Sequence, residues 1–336
     1  MRGLRRRRFL RGGLALTGLG LLAGCQLPRL PWQAERIRLV GYLAVGSRTG
    51  ARAAMVDGLL DGLREHGYEE GRNIAFEYRF SDGRDERLPE LAAELVALQV
   101  DLIVASGSPA SFAAAEATRT IPIVMGSLAA DPVASGLVQS LARPGGNVTG
   151  MTDMGSLLAV KWLELLKELV PGLSRVAAFW NPANPSYDFA WRELGAAAST
   201  LAVELVRLVV RARDDFAGAF EDAARQGAGA LVMPADPLVL NNVGMVAGLA
   251  LGHRLPATYS LRQFPDAGGL LSYGPNVVDS YRRAAKHVDR ILKGASPAGL
   301  PMEQPTQFDF VLNLQTAQAI GLTIPQSILL QAELIQ

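Results

Sequence analysis

From residue 37 onward, short runs rich in Val, Ile, Leu and Ala alternate with amphipathic stretches, and this alternation restricts the chain to an α/β architecture. The strand candidates are 37–45, 73–80, 101–106, 121–126, 175–180, 203–209, 230–233 and 256–260. Several are continuous apolar runs, as parallel strands covered on both faces require. Between them, residues 51–66 place Ala54, Met55, Leu59 and Leu63 at helical spacing. Residues 85–98 do so with Leu88, Leu91, Leu95 and Leu98, and 156–169 with Leu158, Trp162, Leu165 and Leu169. Strand, helix, strand in this order gives right-handed βαβ units. The pattern occurs twice. Asp101-Leu-Ile-Val-Ala leads through a helix to Ile121-Pro-Ile-Val, and Ala230-Leu-Val-Met leads through a helix to Leu255-Pro-Ala-Thr. At roughly 150 residues per domain, 336 residues suit about two such units. The expectation is two Rossmann-like parallel-sheet lobes. The tail from 276 is too short for a third, and it holds a helix pattern (279–293) and an alternating strand pattern (308–314). A tail of this kind closes both lobes by crossing between them.

The first 25 residues read as an export signal. Arg5 to Arg8 and Arg11 form a basic segment, and Leu14 to Ala23 an apolar one. The apolar segment is too short for a bilayer core of about 30 Å, which needs roughly 20 residues, but suits a signal peptide. It ends in Leu22-Ala23-Gly24-Cys25, which resembles the bacterial lipobox and implies cleavage before Cys25 and diacylglycerol on its thiol. Arg6-Arg7-Arg8-Phe9-Leu10-Arg11 resembles the twin-arginine signal, leaving the export route open. Residues 1–24 are thus expected to be a signal peptide and 25–36, with Pro28 and Pro31, a lipidated tether. Without the leader, 27 basic residues face 32 acidic ones, which argues against nucleic acid as a partner.

Catalytic signatures are missing. There is no phosphate-binding G-x-x-x-x-G-K-[ST], no G-x-G-x-x-G after a strand, no H-E-x-x-H and no G-x-S-x-G. His66, His253 and His287 lack an acid, nucleophile or second His at usable spacing. A single Cys excludes a disulfide framework within one chain and Cys-rich metal sites. No cofactor and no metal is expected.

Open α/β sheets bind ligands beyond the carboxyl ends of their strands. There the chain places Ser47, the Ser106-Gly107-Ser108 turn, a plain Gly126-Ser127-Leu128 segment and Asp131 in the first half, and Asn181, Asn184, Asp236 and Tyr259 in the second. Capping alone accounts for Ser108, Asn184 or Asp236 taken singly. Their recurrence at strand ends in both halves points to a cleft. The Ser106–Ser108 turn opens a helix, whose free N–H groups suit a carboxylate. Asp236, ahead of Asp131, is the choice for an ammonium group, Asn184 for a side-chain donor and Tyr259 for an apolar cover.

Two long motifs carry a family resemblance. They are Ile121-Pro-Ile-Val with Asp131-Pro-Val-Ala-Ser-Gly-Leu-Val-Gln-Ser-Leu-Ala-Arg-Pro-Gly-Gly-Asn-Val-Thr-Gly150, and Pro305-Thr-Gln-Phe-Asp-Phe-Val-Leu-Asn-Leu-Gln-Thr-Ala-Gln-Ala-Ile-Gly-Leu-Thr-Ile-Pro325. Both resemble the ABC transporter substrate-binding protein family that includes tryptophan- and phenylalanine-binding lipoproteins. The resemblance implies a type 1 periplasmic binding protein fold, with lobes of 37–150 plus 276–305 and 151–275 plus 306–336 joined by a three-crossover hinge. It implies a small solute, with an amino acid as the candidate class, held by Ser47, Ser106, Gly107, Ser108, Asp131, Asn181, Asn184, Asp236 and Tyr259. Its partners would be a membrane permease with its ATPase, and the membrane through lipidated Cys25. Two alternatives remain at this level: an exported two-domain α/β enzyme, and a solute-sensing lipoprotein with no transport role.

Overall fold

A computed structural model of the chain describes residues 36–153, 158–184 and 186–336. The expected signal peptide (1–24) and the tether as far as residue 35, Cys25 included, lie outside the described residues. Among the described residues no helix is long and apolar enough to cross a membrane.

The first sheet is built by β1 (Arg38–Ala44), β2 (Ile74–Phe80), β3 (Leu102–Ser106), β4 (Ile123–Ser127) and β5 (Val148–Gly150), all parallel, in the order β2-β1-β3-β4-β5. Helices α1 (Ala51–Glu65), α2 (Leu88–Ala97) and α3 (Ser108–Ala117) alternate with these strands. Continuous burial of β3 on both faces explains its unbroken Leu-Ile-Val-Ala sequence.

After β5 the chain passes to a second sheet through residues 151–158. There α4 (Ala159–Leu169), β6 (Arg175–Trp180), α5 (Ser186–Thr200), β7 (Glu204–Val209), α6 (Asp215–Arg225) and β8 (Ala230–Met233) follow in turn. Next come α7 (Pro237–Leu240), α8 (Val243–Gly252), β9 (Ala257–Tyr259), α9 (Gln263–Asp266) and β10 (Leu271–Pro275). The chain then returns: α10 (Val277–Leu292) packs on α1 and β4 of the first lobe, and Glu303 bridges to Met151 beside β5. A third passage leads to β11 (Phe308–Asn313), α11 (Leu314–Ala319), α12 (Gln326–Leu329) and β12 (Glu333–Ile335). The second sheet has the order β12-β11-β10-β9-β8-β6-β7, parallel except where β11 runs against β10. The expected α/β class, with two mainly parallel sheets and three crossings between them, is what the structure contains.

Both sheets share one topological device. In each, the chain starts in an inner strand (β1, β6), goes to one side (β2, β7) and then jumps to the other (β3, β8). Connections on either side of the jump diverge and leave a crevice at the carboxyl ends of β1 and β3, and of β6 and β8. A buried cluster includes residues from both sheets, among them Val40, Tyr42 and Leu102 from the first and Phe179, Leu231 and Tyr259 from the second.

Candidate functional site

The two crevices contribute to a cleft of two adjoining chambers. One is the more polar, about 490 Å³ including its mouth, and is lined by Arg52, Ser106, Gly107, Ser108, Ser127 and Tyr281 from the first lobe and by Asn184, Asp236 and Leu261 from the second. The other is mostly apolar, about 480 Å³, with Leu158, Trp162, Tyr187, Ala190, Pro234, Ser260 and Pro275 in its wall. Ala129, Asp153, Ala235 and Leu261 belong to both and join them. These sizes suit a single small solute.

Of the sequence-expected residues, the structure brings Ser106, Gly107, Ser108, Asn184 and Asp236 together in the polar chamber. Gly107 turns the chain at φ 88° between β3 and α3, in a region that glycine enters at little cost. The Ser106 hydroxyl accepts from Tyr281 Oη at 2.5 Å, and Ser108 Oγ accepts from the Ala130 N–H at 3.4 Å. Tyr281 reaches Ser106 because Gly126 of β4 leaves room for its ring: a Cβ on Gly126 would lie 2.3 Å from a ring carbon.

Asp236 caps α7, accepting from Leu238 N at 2.7 Å and Val239 N at 3.4 Å. Its second oxygen accepts from Asn184 Nδ2 at 2.7 Å, and Asn181 Nδ2 lies 3.3 and 3.4 Å from the two oxygens. Burial pushes its pKa up, and these hydrogen bonds counter part of that rise. Asn181 therefore supports the site by holding Asp236, without lining either chamber.

Three expected residues lie elsewhere. Asp131 accepts from Val133 N and Ala134 N at 2.8 and 2.9 Å, a capping arrangement away from the cleft wall. Ser47 donates to Asp82 at 2.8 Å and lines an outer groove with Arg211 and Arg213, which meets the polar chamber at Arg52 and Leu240. Tyr259 is fully buried, with its ring parallel to Phe264 at a centroid distance of 4.4 Å. Side chains alternate along an extended chain, so Tyr259 faces the core while its neighbour Ser260 reaches the cleft.

The structure adds two charged groups that strand-end reasoning missed. Arg52, in the first turn of α1, is 4% exposed. Among the described residues no carboxylate lies within salt-bridge distance of it, and its one hydrogen bond is a 3.4 Å contact from Nε to Asn241 of the opposite lobe. Burial pulls its pKa down, with the Tyr281, Tyr42, Asp85 and Asp236 side chains acting the other way. A signal was present: Arg52 stands at i−3 and i−7 from Met55 and Leu59, on the apolar face of its helix. Asp153 lies on the first crossing, 5% exposed, and among the described residues accepts from Ser127 Oγ, at 2.6 and 2.7 Å. Desolvation pushes its pKa up to about 6. A buried cation and a buried anion, neither one ion-paired among the described residues, thus face the same chamber, an arrangement suited to a zwitterion. Among the described residues no group of three or more His, Cys, Asp or Glu could hold a metal ion.

Residues 47–335 match the family described as ABC transporter substrate binding protein. The chain belongs to that family. This substrate-binding protein is 26% identical over 265 residues to the tyrosine-binding protein of Clostridioides difficile, covering 79% of this chain and 76% of that one. Its structure is similar to that of an ABC domain from Streptococcus pneumonia in complex with L-Trp, with a TM-score of 0.82, 27% identity and coverage of 89% and 99%. A conserved domain protein from Vibrio cholerae gives a TM-score of 0.83 at 27% identity, with coverage of 90% and 100%. The fold of this substrate-binding protein is the type 1 periplasmic binding protein fold, and its relatives are ligand-binding transport proteins.

Proposed function

We propose that the protein is an exported lipoprotein, anchored through Cys25, that captures an aromatic amino acid between its lobes and delivers it to a membrane permease. The observation that carries this reading is the pairing of chambers. A guanidinium and a carboxylate with no ion-pair partner among the described residues face one chamber, and a Trp- and Tyr-walled apolar chamber adjoins it. Arg52, assisted by the N–H groups of the Ser106–Ser108 turn, would take the solute's carboxylate. Asp153 would take its ammonium, with Asp236 second because its oxygens are already engaged by Asn184 and α7. The side chain would lie against Trp162 and Leu261. That relatives bind tyrosine and tryptophan agrees with this arrangement. Closure around solute would then present a surface to the permease. A transporter's own ATPase supplies the energy, consistent with the missing phosphate-binding loop.

Calorimetry with L-Tyr, L-Trp and L-Phe, each beside its carboxamide and its N-acetyl form, tests the reading. The free amino acid should bind, and each blocked form should lose roughly tenfold to over a hundredfold, because a charged partner is left buried and unpaired. Arg52→Gln should abolish the penalty for the carboxamide. Equal binding of blocked and free forms would refute the zwitterion assignment.

A further inference from the structure

Two hydroxyl groups in the wall of the apolar chamber have no hydrogen-bond partner among the described residues: Tyr187 Oη and Ser260 Oγ. Tyr187 is 2% exposed and Ser260 4%. Buried hydroxyls are ordinarily paired, and leaving them unpaired costs free energy. Both are held in place. The Tyr187 ring meets Trp180 edge-on with centroids 5.8 Å apart, and its hydroxyl lies within electrostatic reach of the Asp236 carboxylate at the chamber's polar neighbour. Ser260 follows β9, and β10 approaches it so closely that a Cβ on Gly274 would lie 1.8 Å from the Ser260 carbonyl oxygen. The indole N–H of Trp162, which also belongs to this chamber, already donates to the Tyr273 carbonyl at 2.7 Å. Trp162 is therefore a wall, and among the described residues Tyr187 and Ser260 are the hydroxyls of this wall left without a partner, beside the Asp153 carboxylate that both chambers share.

We infer that Tyr187 and Ser260 receive the polar edge of an aromatic side chain and so select a phenol or an indole over a plain phenyl ring. The inference rests on the aromatic amino-acid reading above. Each hydroxyl both donates and accepts. A phenol can accept from one and donate to the other, and an indole N–H can donate to one. A phenyl ring displaces water from the chamber and leaves both hydroxyls unpaired, which is how a site built around hydrogen bonds rejects an analogue lacking them.

Calorimetry with L-Tyr, L-Trp and L-Phe on the wild type, Tyr187→Phe and Ser260→Ala provides the test. The wild type should bind L-Phe at least roughly tenfold more weakly than the better of the other two. Each substitution should narrow that ratio by weakening the polar ligand while L-Phe binding holds or improves. Wild-type dissociation constants for all three within a factor of two overturn the inference and leave the aromatic reading standing. Equal weakening of all three ligands in the variants means a structural role only, and also overturns it. Failure of all three to bind the wild type overturns the aromatic reading, and the inference with it. Should one variant not fold, the wild-type ratio and the other variant decide.

Discussion

At the scale of single residues, buried charge is the main lever on this protein. Asp153 loses hydration on folding and among the described residues has the Ser127 hydroxyl in return, so its folded carboxyl holds its proton up to about pH 6. Between its unfolded value near 4 and about 6, the folded chain binds more protons than the unfolded one, and stability falls as pH rises through that window. Asp153→Asn removes the effect and keeps a partner for Ser127. Without solute, the variant should exceed the wild type by on the order of 2–3 kcal/mol at pH 7.5 and gain nothing near pH 4. Denaturant titrations at both pH values measure this, and a stability difference constant across them would rule it out. Solute binding should show the opposite preference, with affinity for an amine-bearing ligand falling as pH drops through about 6. Arg52 and Asp153 also mark the limit of what the sequence discloses. Strand-end reasoning finds Ser106, Ser108, Asn184 and Asp236 because topology alone places them. Arg52 lies in a helix and Asp153 on a crossing, so only the position of Arg52 on an apolar face betrays that it is buried.

At the scale of elements, the strands with continuous apolar runs are readable and the others are not. β5 is three residues within a Gly-rich segment, β10 ends in Gly274-Pro275, and β12 is a short edge strand, so none shows an apolar run long enough to stand out. Their place comes from pairing with β4, β9 and β11, which is tertiary information. The same holds for the meeting of α10 with the first sheet. Nothing local in Gly126 announces that a tyrosine more than a hundred residues later needs its missing side chain. Gly126→Ala should cost about 1–3 kcal/mol, as overpacking does, and should weaken solute binding by displacing Tyr281 from Ser106. Adding Tyr281→Leu should recover part of the stability but not the binding. Two costs that simply add in the double variant would show that the two side chains do not compete for space.

At the scale of the whole molecule, three crossings with a cleft between them make a hinge the expected moving part. The crossings pass through Thr152 and Asp153, through Pro275 and Asn276, and through the residues between Glu303 and Phe308. Asn241 reaches from the second lobe to Arg52 of the first. Small-angle scattering should therefore give a smaller radius of gyration with solute than without it, and an unchanged radius would favour a rigid body. The proposed anchor is tested separately: if Cys25 is lipidated, Cys25→Ala should move the protein from the membrane fraction to the soluble one, since two acyl chains hold a protein firmly and none does not. The seat of α10 also bears on time. Gly58 and Gly62 of α1 let that helix approach so closely that a Cβ on Gly62 would lie 2.1 Å from the Arg282 carbonyl oxygen. Strands β1 to β5 have all been synthesised by residue 150, yet the helix that covers β4 and α1 ends only at Leu292. Until then the first lobe keeps an open apolar face, and closing it means closing a very long loop, a slow step. The lobe that begins the chain is thus completed near its end, and order of synthesis is not order of folding.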